Sequence, residues 1–248
     1  MREDLVFSEI LKCEGLSPTA KLIYFYAHLF RPTSMESLAE QSKLDRNTVS
    51  KACIELQKNG WLKTVSHGQR KVPVPVVPHS VQQIQAKFLE TAFALAPQKG
   101  EFLTKGMLDI LVPSRDYVDN ARPDFLANPL TGESLEYDRY YLEGVAFEFN
   151  GSQHYGPTQK YPNKEEFKSI RARDLVKKGL SEEHGIILVT VSFRDLTLTR
   201  MQEKIPPRLP SCQVDTDGPY VRTLERLSRE YRATIAKIEK GQAQTEQI

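Results

Sequence analysis

The sequence predicts an α/β protein of the α+β kind, with strands and a strand–helix–strand crossover in its second half and a small helical domain plus a strand pair in its first. Three observations predict it. Residues 16–61 hold three successive helical patterns, and the strand–turn–strand stretch "WLKTVSHGQRKVPVPVV" follows them. Two apolar runs, "GVAFEFNG" and "GIILVTVSF", flank a long polar stretch of helical character, a strand–helix–strand crossover. The prolines of "VPVPVVPHS" (72–80) mark a stiff boundary between the halves.

A chain of 248 residues is long enough for one large domain or two smaller ones. Its 40% hydrophobic and 27% charged residues are those of an ordinary globular protein. No apolar run reaches transmembrane length, and the acid-containing "MREDLVFSEILKCEG" lacks the core of a signal peptide. Cys13, Cys53 and Cys212 are far apart and odd in number. That excludes a disulfide framework and a CxxC metal site and points to a reducing, cytoplasmic setting. The net charge is only +2, but seven basic residues against three acidic ones lie between Lys160 and Lys178. Residues 1–78 also carry a basic excess, and such patches suit either a polyanionic partner or plain solvated surface.

In "LSPTAKLIYFYAHLF" (16–30), Ala20, Ile23, Tyr24 and Ala27 repeat at helical spacing, with Ser17 or Thr19 as cap. "PTSMESLAEQSK" (32–43) opens on Thr33 with Glu36 three residues on, a capping box, and Met35, Leu38 and Ala39 form its apolar face. "DRNTVSKACIELQKNGW" (45–61) starts at an Asp cap. Its apolar stripe is Val49, Ala52, Cys53 and Leu56, and Gly60 ends it. Two short helices with a tight link make a helix-turn-helix pattern. In the strand pair that follows, Pro73 and Pro75 suit a sheet edge, and the turn carries Gln69, Arg70 and Lys71 toward a phosphate backbone. Arg46, Asn47, Thr48, Ser50 and Lys51 lie off the apolar stripe near the start of the third helix, the part that enters a major groove. Residues 1–78 resemble the winged helix-turn-helix DNA-binding domains of bacterial regulators; a three-helix domain used for protein contacts is the other reading.

Residues 79–97 then read as a linker helix, and "KGEFLTKGMLDILV" as another helix or its continuation. "NARPDFLANPLTGESLEYDRYYLEGVAFEFNG" has strand-like ends around a turn, with Asp124 in the first strand-like piece. In "GVAFEFNG", Val145, Phe147 and Phe149 point one way, and Ala146, Glu148 and Asn150 the other. Both faces are partly apolar, so this is a central strand with a carboxylate in it. An ionised Glu there costs several kcal/mol unless compensated, by a core cation or by a metal ion. Mg²⁺ takes one or two carboxylates plus waters and substrate phosphates, and Asp124 and Glu148 would supply that pair. On the helix "NKEEFKSIRARDLVKKGLSEEHG", Phe167, Ile170, Leu175, Val176 and Leu180 read as the core face. Arg171, Asp174 and Lys177 recur every three residues toward the strand ends, where Lys177 would set an ammonium beside a scissile phosphate.

Taken together, "RPDF", "EFNGSQHY", "RARDLVKK" and "GIILVTV" resemble the PD-(D/E)xK nuclease superfamily, in the branch similar to very-short-patch repair and EDxHD homing endonucleases. The resemblance covers about residues 98–193 and implies a restriction-endonuclease-like mixed sheet that cuts phosphodiester bonds with Mg²⁺, or with Mn²⁺ in its place. It implies Asp124 and Glu148 as metal ligands, Glu101 in "KGEFL" as an assisting acid, and His154 as proton carrier or phosphate contact. Asp174 and Lys177 match the helix pair, and Gln153 would position a water or a base edge. One departure stands out. The superfamily's Lys two residues after the Glu is here Asn150, which orients water but carries no charge, so Lys177 is the substitute.

The nuclease-like domain is expected over 98–215 and a C-terminal amphipathic helix and tail over 216–248, with Leu224, Leu227, Tyr231, Ile235 and Ile238 as the stripe. The expected function is a metal-dependent DNA endonuclease placed on duplex DNA by its winged helix, cytoplasmic and nucleoid-associated. A homodimer is compatible, and no membrane partner is expected. The alternative is a DNA-binding regulator or recombination partner with a degenerate nuclease fold, which Asn150 favours.

Overall fold

The computed structural model describes residues 3–67, 70–151, 164–212 and 214–245. It is a mixed α and β protein with two sheets, one antiparallel and one mixed. The chain forms two compact units, residues 2–88 with 218–220 and residues 89–217 with those from 221 on. The division falls inside the helix His79–Leu95.

The first unit opens with α1 (Glu3–Lys12), α2 (Pro18–Phe30), α3 (Met35–Ser42) and α4 (Arg46–Lys58). Ser17 caps α2, its hydroxyl accepting the Ala20 amide, and Ser17 itself donates to the Glu55 carboxylate of α4 at 2.8 Å. Ser34, not Thr33, caps α3: its side chain accepts the Ser37 amide at 3.1 Å, so the cap sits one residue later than the sequence pattern suggests. Asp45 caps α4 through the Thr48 amide and hydroxyl. Those bonds pull its carboxyl below the usual range. At the other end Gly60 takes φ of 73°, while Gly60 and Trp61 donate back to Gln57 and Leu56. Only a residue without Cβ closes the helix this way at no cost. The expected stripes are buried: Ala20, Ile23, Tyr24 and Ala27 of α2, and Val49, Ala52, Cys53 and Leu56 of α4. β1 (Leu62–His67) and β2 (Arg70–Pro75) then pair antiparallel, with Pro73 opposite Thr64 and Pro75 opposite Leu62.

The second unit begins within α5 (His79–Leu95) and continues with α6 (Lys99–Leu111), separate from α5. Its sheet holds β3 (Tyr117–Ala121), β4 (Tyr137–Tyr141), β5 (Val145–Asn150) and β6 (Ile187–Ser192) in that order. The first three are antiparallel neighbours. β5 and β6 run parallel through the crossover helix α7 (Lys164–Glu183). A short 3-10 turn (Phe193–Asp195), α8 (Leu198–Lys204) and the long α9 (Pro219–Thr245) complete it. α9 lies on α6, where Leu224 meets the open face of Gly106.

Two expectations need correction. The first strand of the sheet is "YVDNA", not "RPDFLA". Pro123 brings no N–H to a ladder, and its carbonyl accepts the Leu126 amide at 2.9 Å, closing a turn. Leu175 is 70% exposed rather than core. Among described side chains the inward stripe of α7 is the buried Lys177 and Ser181 with the half-buried Val176 and Leu180, which puts Leu175 on the outer side.

Candidate functional site

The charged groups of the second unit converge where β5 ends. Gly100 decides how closely α6 approaches that end, since a Cβ there would lie 2.0 Å from the Phe149 ring. The missing side chain seats the first turn of α6 on β5 and brings Glu101 with it. β4 runs antiparallel to β5, and Asp138 follows one step beyond the paired Arg139 and Phe147. Its Oδ2 accepts the Phe149 amide at 2.7 Å, which fixes this carboxylate to the strand segment that carries Glu148. From the crossover helix, the buried Lys177 reaches Glu148, Nζ to Oε1 2.5 Å. Ser181, one turn on, holds the Lys177 carbonyl and shares a hydrogen bond with the buried Tyr137 hydroxyl. The helix is thereby pinned at the level where Lys177 points to Glu148.

A second ammonium lies alongside. Lys105 donates to Glu101 at 2.5 Å and to Asn120 Oδ1 at 2.8 Å. Asn120 sits on β3 with φ of 53°, a conformation Asn tolerates better than most residues. Its amide nitrogen in turn donates to Glu136. Behind this layer the Arg139 side chain, 2% exposed, binds Asp119 and Asp109 at 2.7 Å each and stacks over Tyr117.

The electrostatics single out Asp138. Burial first, then the nearby Glu148 and Glu101, push its carboxyl up to about 7. The Phe149 amide and Lys105 only partly oppose them. Three carboxylates thus share two ammonium groups: Lys177 pairs with Glu148, Lys105 with Glu101, and Asp138 is the one that keeps a proton up to about pH 7. Two carboxylates side by side supply hard oxygen donors of the kind Mg²⁺ takes, and Asp138 and Glu148 would hold such an ion. Among the described residues no group of three or more His, Cys, Asp or Glu is close enough to form a metal cage. Two carboxylates completed by water and substrate oxygens match Mg²⁺ in any case.

Of the residues singled out from sequence, Glu148, Lys177 and Glu101 come together here. Asn150 ends β5 half-buried, opposite Ser192 of β6. Asp174 lies half-buried on α7 one turn before Lys177. Asp124 does not belong to a neighbouring strand: it is exposed in the turn after Pro123, and the carboxylate beside Glu148 is Asp138. Gln153 and His154 lie outside the described residues, as does the Arg171 side chain. In the first unit, Arg46, Asn47 and Lys51 are exposed on α4, with Arg46 2.9 Å from Glu36. Thr48 is engaged by the Asp45 cap and Ser50 is half-buried. Lys71 is exposed on β2; the Arg70 side chain and Gln69 are outside the described residues.

Asp138, Lys105 and Asn120 went unmarked in the sequence pattern. The signal for Asp138 was the alternation of "YDRYY", in which every second residue is buried. A lone acid between such aromatic and Arg positions projects from a core strand, as Glu148 does from the next.

No family model matches this chain, and no solved structure matches it. Two curated proteins match in part. Uncharacterized protein 033L of Invertebrate iridescent virus 3 is 39% identical over 75 residues, 29% of this chain and 39% of that protein. Uncharacterized protein 307L of Invertebrate iridescent virus 6 is 33% identical over 98 residues, 36% of this chain and 49% of that protein. The matches span less than half the length of either relative. Among the described residues no helix is long and apolar enough to cross a membrane.

Proposed function

We propose that this chain is a metal-dependent DNA endonuclease of the PD-(D/E)xK kind, carried to duplex DNA by a winged helix at its N-terminus. The observation that carries the reading is the meeting of Asp138, Glu148, Lys177 and Glu101 from two strands and two helices at one sheet end. Ionisable groups drawn from four elements to one place, one of them a carboxyl whose proton affinity is raised by burial and by its neighbours, are the pattern of a functional site. Asp138 takes the place in the metal pair that the sequence pattern gave to Asp124.

In this reading Asp138 and Glu148 hold the ion, which would supply a polarised phosphoryl oxygen and a bound water of lowered pKa. The side chains do the rest. Lys177, held by Glu148 and the Ser181 anchor, presents its ammonium to a non-bridging oxygen and stabilises charge that develops there. Lys105 holds Glu101 at the same sheet end by a hydrogen bond. Exposed Arg46, Asn47 and Lys51 on α4 would read or clamp the duplex, with Lys71 on the strand pair touching phosphate. Cutting both strands would take two copies.

One observation favours a second reading, a DNA-binding protein with a degenerate nuclease fold. Lys177 is already paired with Glu148 at 2.5 Å, and Asn150 stands where the superfamily has its lysine. Purified protein incubated with supercoiled plasmid in Mg²⁺, Mn²⁺ or EDTA separates the two. Metal-dependent nicking or linearisation that is lost in Glu148→Gln and in Asp138→Asn, but kept in Asp124→Asn, is the expected result. DNA binding without cutting in any metal establishes the second reading instead.

A further inference from the structure

The 3-10 turn after β6, α8 and α9 line an open groove of about 570 Å³. The charged residues lining it are Arg194, Arg200, Arg229, Arg232, Lys240 and, as the single acid, Glu239. Glu239 is already matched by Arg194 at 2.7 Å. Arg200 gives one guanidinium N–H to the Arg194 carbonyl at 2.6 Å, which holds it at the rim. Arg232 is the informative member. Its buried Nε–H meets no acceptor among the described residues. Burial, then Arg200 and Arg229 beside it, weaken its hold on its proton, and Glu225 only partly opposes them.

Like charges gathered around an unanswered donor are unfavourable in the protein alone. An anion reverses the sign of every term. Guanidinium forks match phosphate oxygens in shape and charge, so the ligand this groove suits is a phosphate group. Its position narrows the source. Phe193 and Arg194 directly follow Ser192, which pairs with Asn150 of β5, and Tyr231 of α9 meets the Phe149 ring at 6.4 Å. The groove therefore adjoins the sheet end that carries Glu148 and Asp138.

We propose that this arginine groove is a phosphate subsite that holds a backbone phosphate of the nucleic acid flanking the bond presented to Asp138 and Glu148, an assignment that rests on the nuclease reading for its occupant. Arg232 supplies the inward donor, and Arg200 and Arg229 close on the outer oxygens.

The test is fluorescence anisotropy of a labelled short duplex against the full-length chain, titrated over salt in EDTA so that cleavage plays no part. Arg200→Gln/Arg229→Gln/Arg232→Gln is compared with wild type and with Lys237→Gln, a charge loss on the exposed side of the same helix. Arg232→Gln alone is included in case the triple variant does not fold, which circular dichroism decides. About tenfold weaker binding and a salt slope shallower by about one in the triple variant, with Lys237→Gln unchanged, supports the proposal. Unchanged affinity and slope in a folded triple variant overturns it. A parallel arm measures thermal stabilisation by inorganic pyrophosphate. If wild type binds no duplex but gains stability with pyrophosphate, and the triple variant does not, the occupant is a small phosphate ligand and the nucleic-acid assignment falls. If neither ligand registers, the groove is no phosphate site. Duplex binding that depends on the arginines, together with plasmid that stays uncut in every metal, keeps the subsite and discards the cleavage reading.

Discussion

The N-terminal helices and the end of the mixed sheet use the same charged residue types under opposite solvation. On α4, Arg46 and its partner Glu36 have side chains 72% and 61% exposed. At the end of β5, Lys177 and Glu148 are 10% and 17% exposed. Water screens the first pair, which contributes ~0–1 kcal/mol to folding. The second has been taken out of water, and removing either partner strands a charge. The contrast separates two uses of charge. An exposed side chain can exchange its partner for a phosphate without disturbing the fold. A buried one is part of the fold and keeps its geometry when a ligand arrives.

That contrast would break first at Lys177. Lys177→Met should lower unfolding stability by about 3 kcal/mol, read from the urea midpoint, because Glu148 is left buried without its ammonium. Adding Glu148→Leu to that variant should restore most of the loss, since neither charge then needs a partner. A loss below about 1 kcal/mol for the single variant would put the pair in effective contact with water and erase the distinction.

Much of the N-terminal unit was legible because its information is local. Caps, stripes and the helix-ending Gly60 depend on residues three or four apart, and the stripes of α2 and α4 are buried as their spacing requires. Two readings slipped: Thr33 for Ser34, a shift of one residue between two competent caps, and α1 (Glu3–Lys12), which was not read as a helix although Val6 and Ile10 are buried on it. In the sheet, Glu148 was legible because a carboxylate in an apolar run is locally anomalous. Its companion was not. "RPDF" and "EYDR" both offer an Asp near a strand-like stretch, and the choice depends on antiparallel pairing between β4 and β5, a relation between segments. Pro123 held the local clue, because a residue without an N–H ends the ladder before Asp124 is reached. Lys105 and Asn120 were invisible for the same reason: their contact joins α6 to β3, again a relation between segments. Cys53 behaved as a small core apolar residue, its thiol pushed up to about 11 by burial.

A smaller effect sharpens the comparison through pH. The Asp138 carboxyl is raised above its unfolded value, so between the ordinary carboxylate range and about 7 the folded protein holds a proton that the unfolded chain has lost. The stability this contributes is complete at acid pH and is lost as pH rises through 7. Asp138→Asn keeps an oxygen for the Phe149 amide but cannot ionise. Its melting temperature should therefore gain on wild type from pH 5 to pH 8, by ~5–10 °C or about 2–3 kcal/mol. A gap of the same size at both pH values would mean that Asp138 titrates as a solvated acid.

The smallest expected change in stability lies on α4, and there the binding readout does the discriminating. Arg46 is the first helical residue after the Asp45 cap, where a positive charge meets the positive end of the helix dipole. Its ion pair with Glu36 offsets that penalty only weakly across water. Arg46→Gln should thus shift unfolding stability by less than about 0.5 kcal/mol. If the charge is held for a partner, the same variant should bind duplex DNA more weakly, and its salt slope should be shallower by about one phosphate contact. A stability loss of 1 kcal/mol or more with unchanged binding would make Arg46 a structural residue, no different in kind from Lys177. An unchanged stability with weakened, less salt-dependent binding would keep the two regions distinct, one holding its charges for the fold and the other for the nucleic acid.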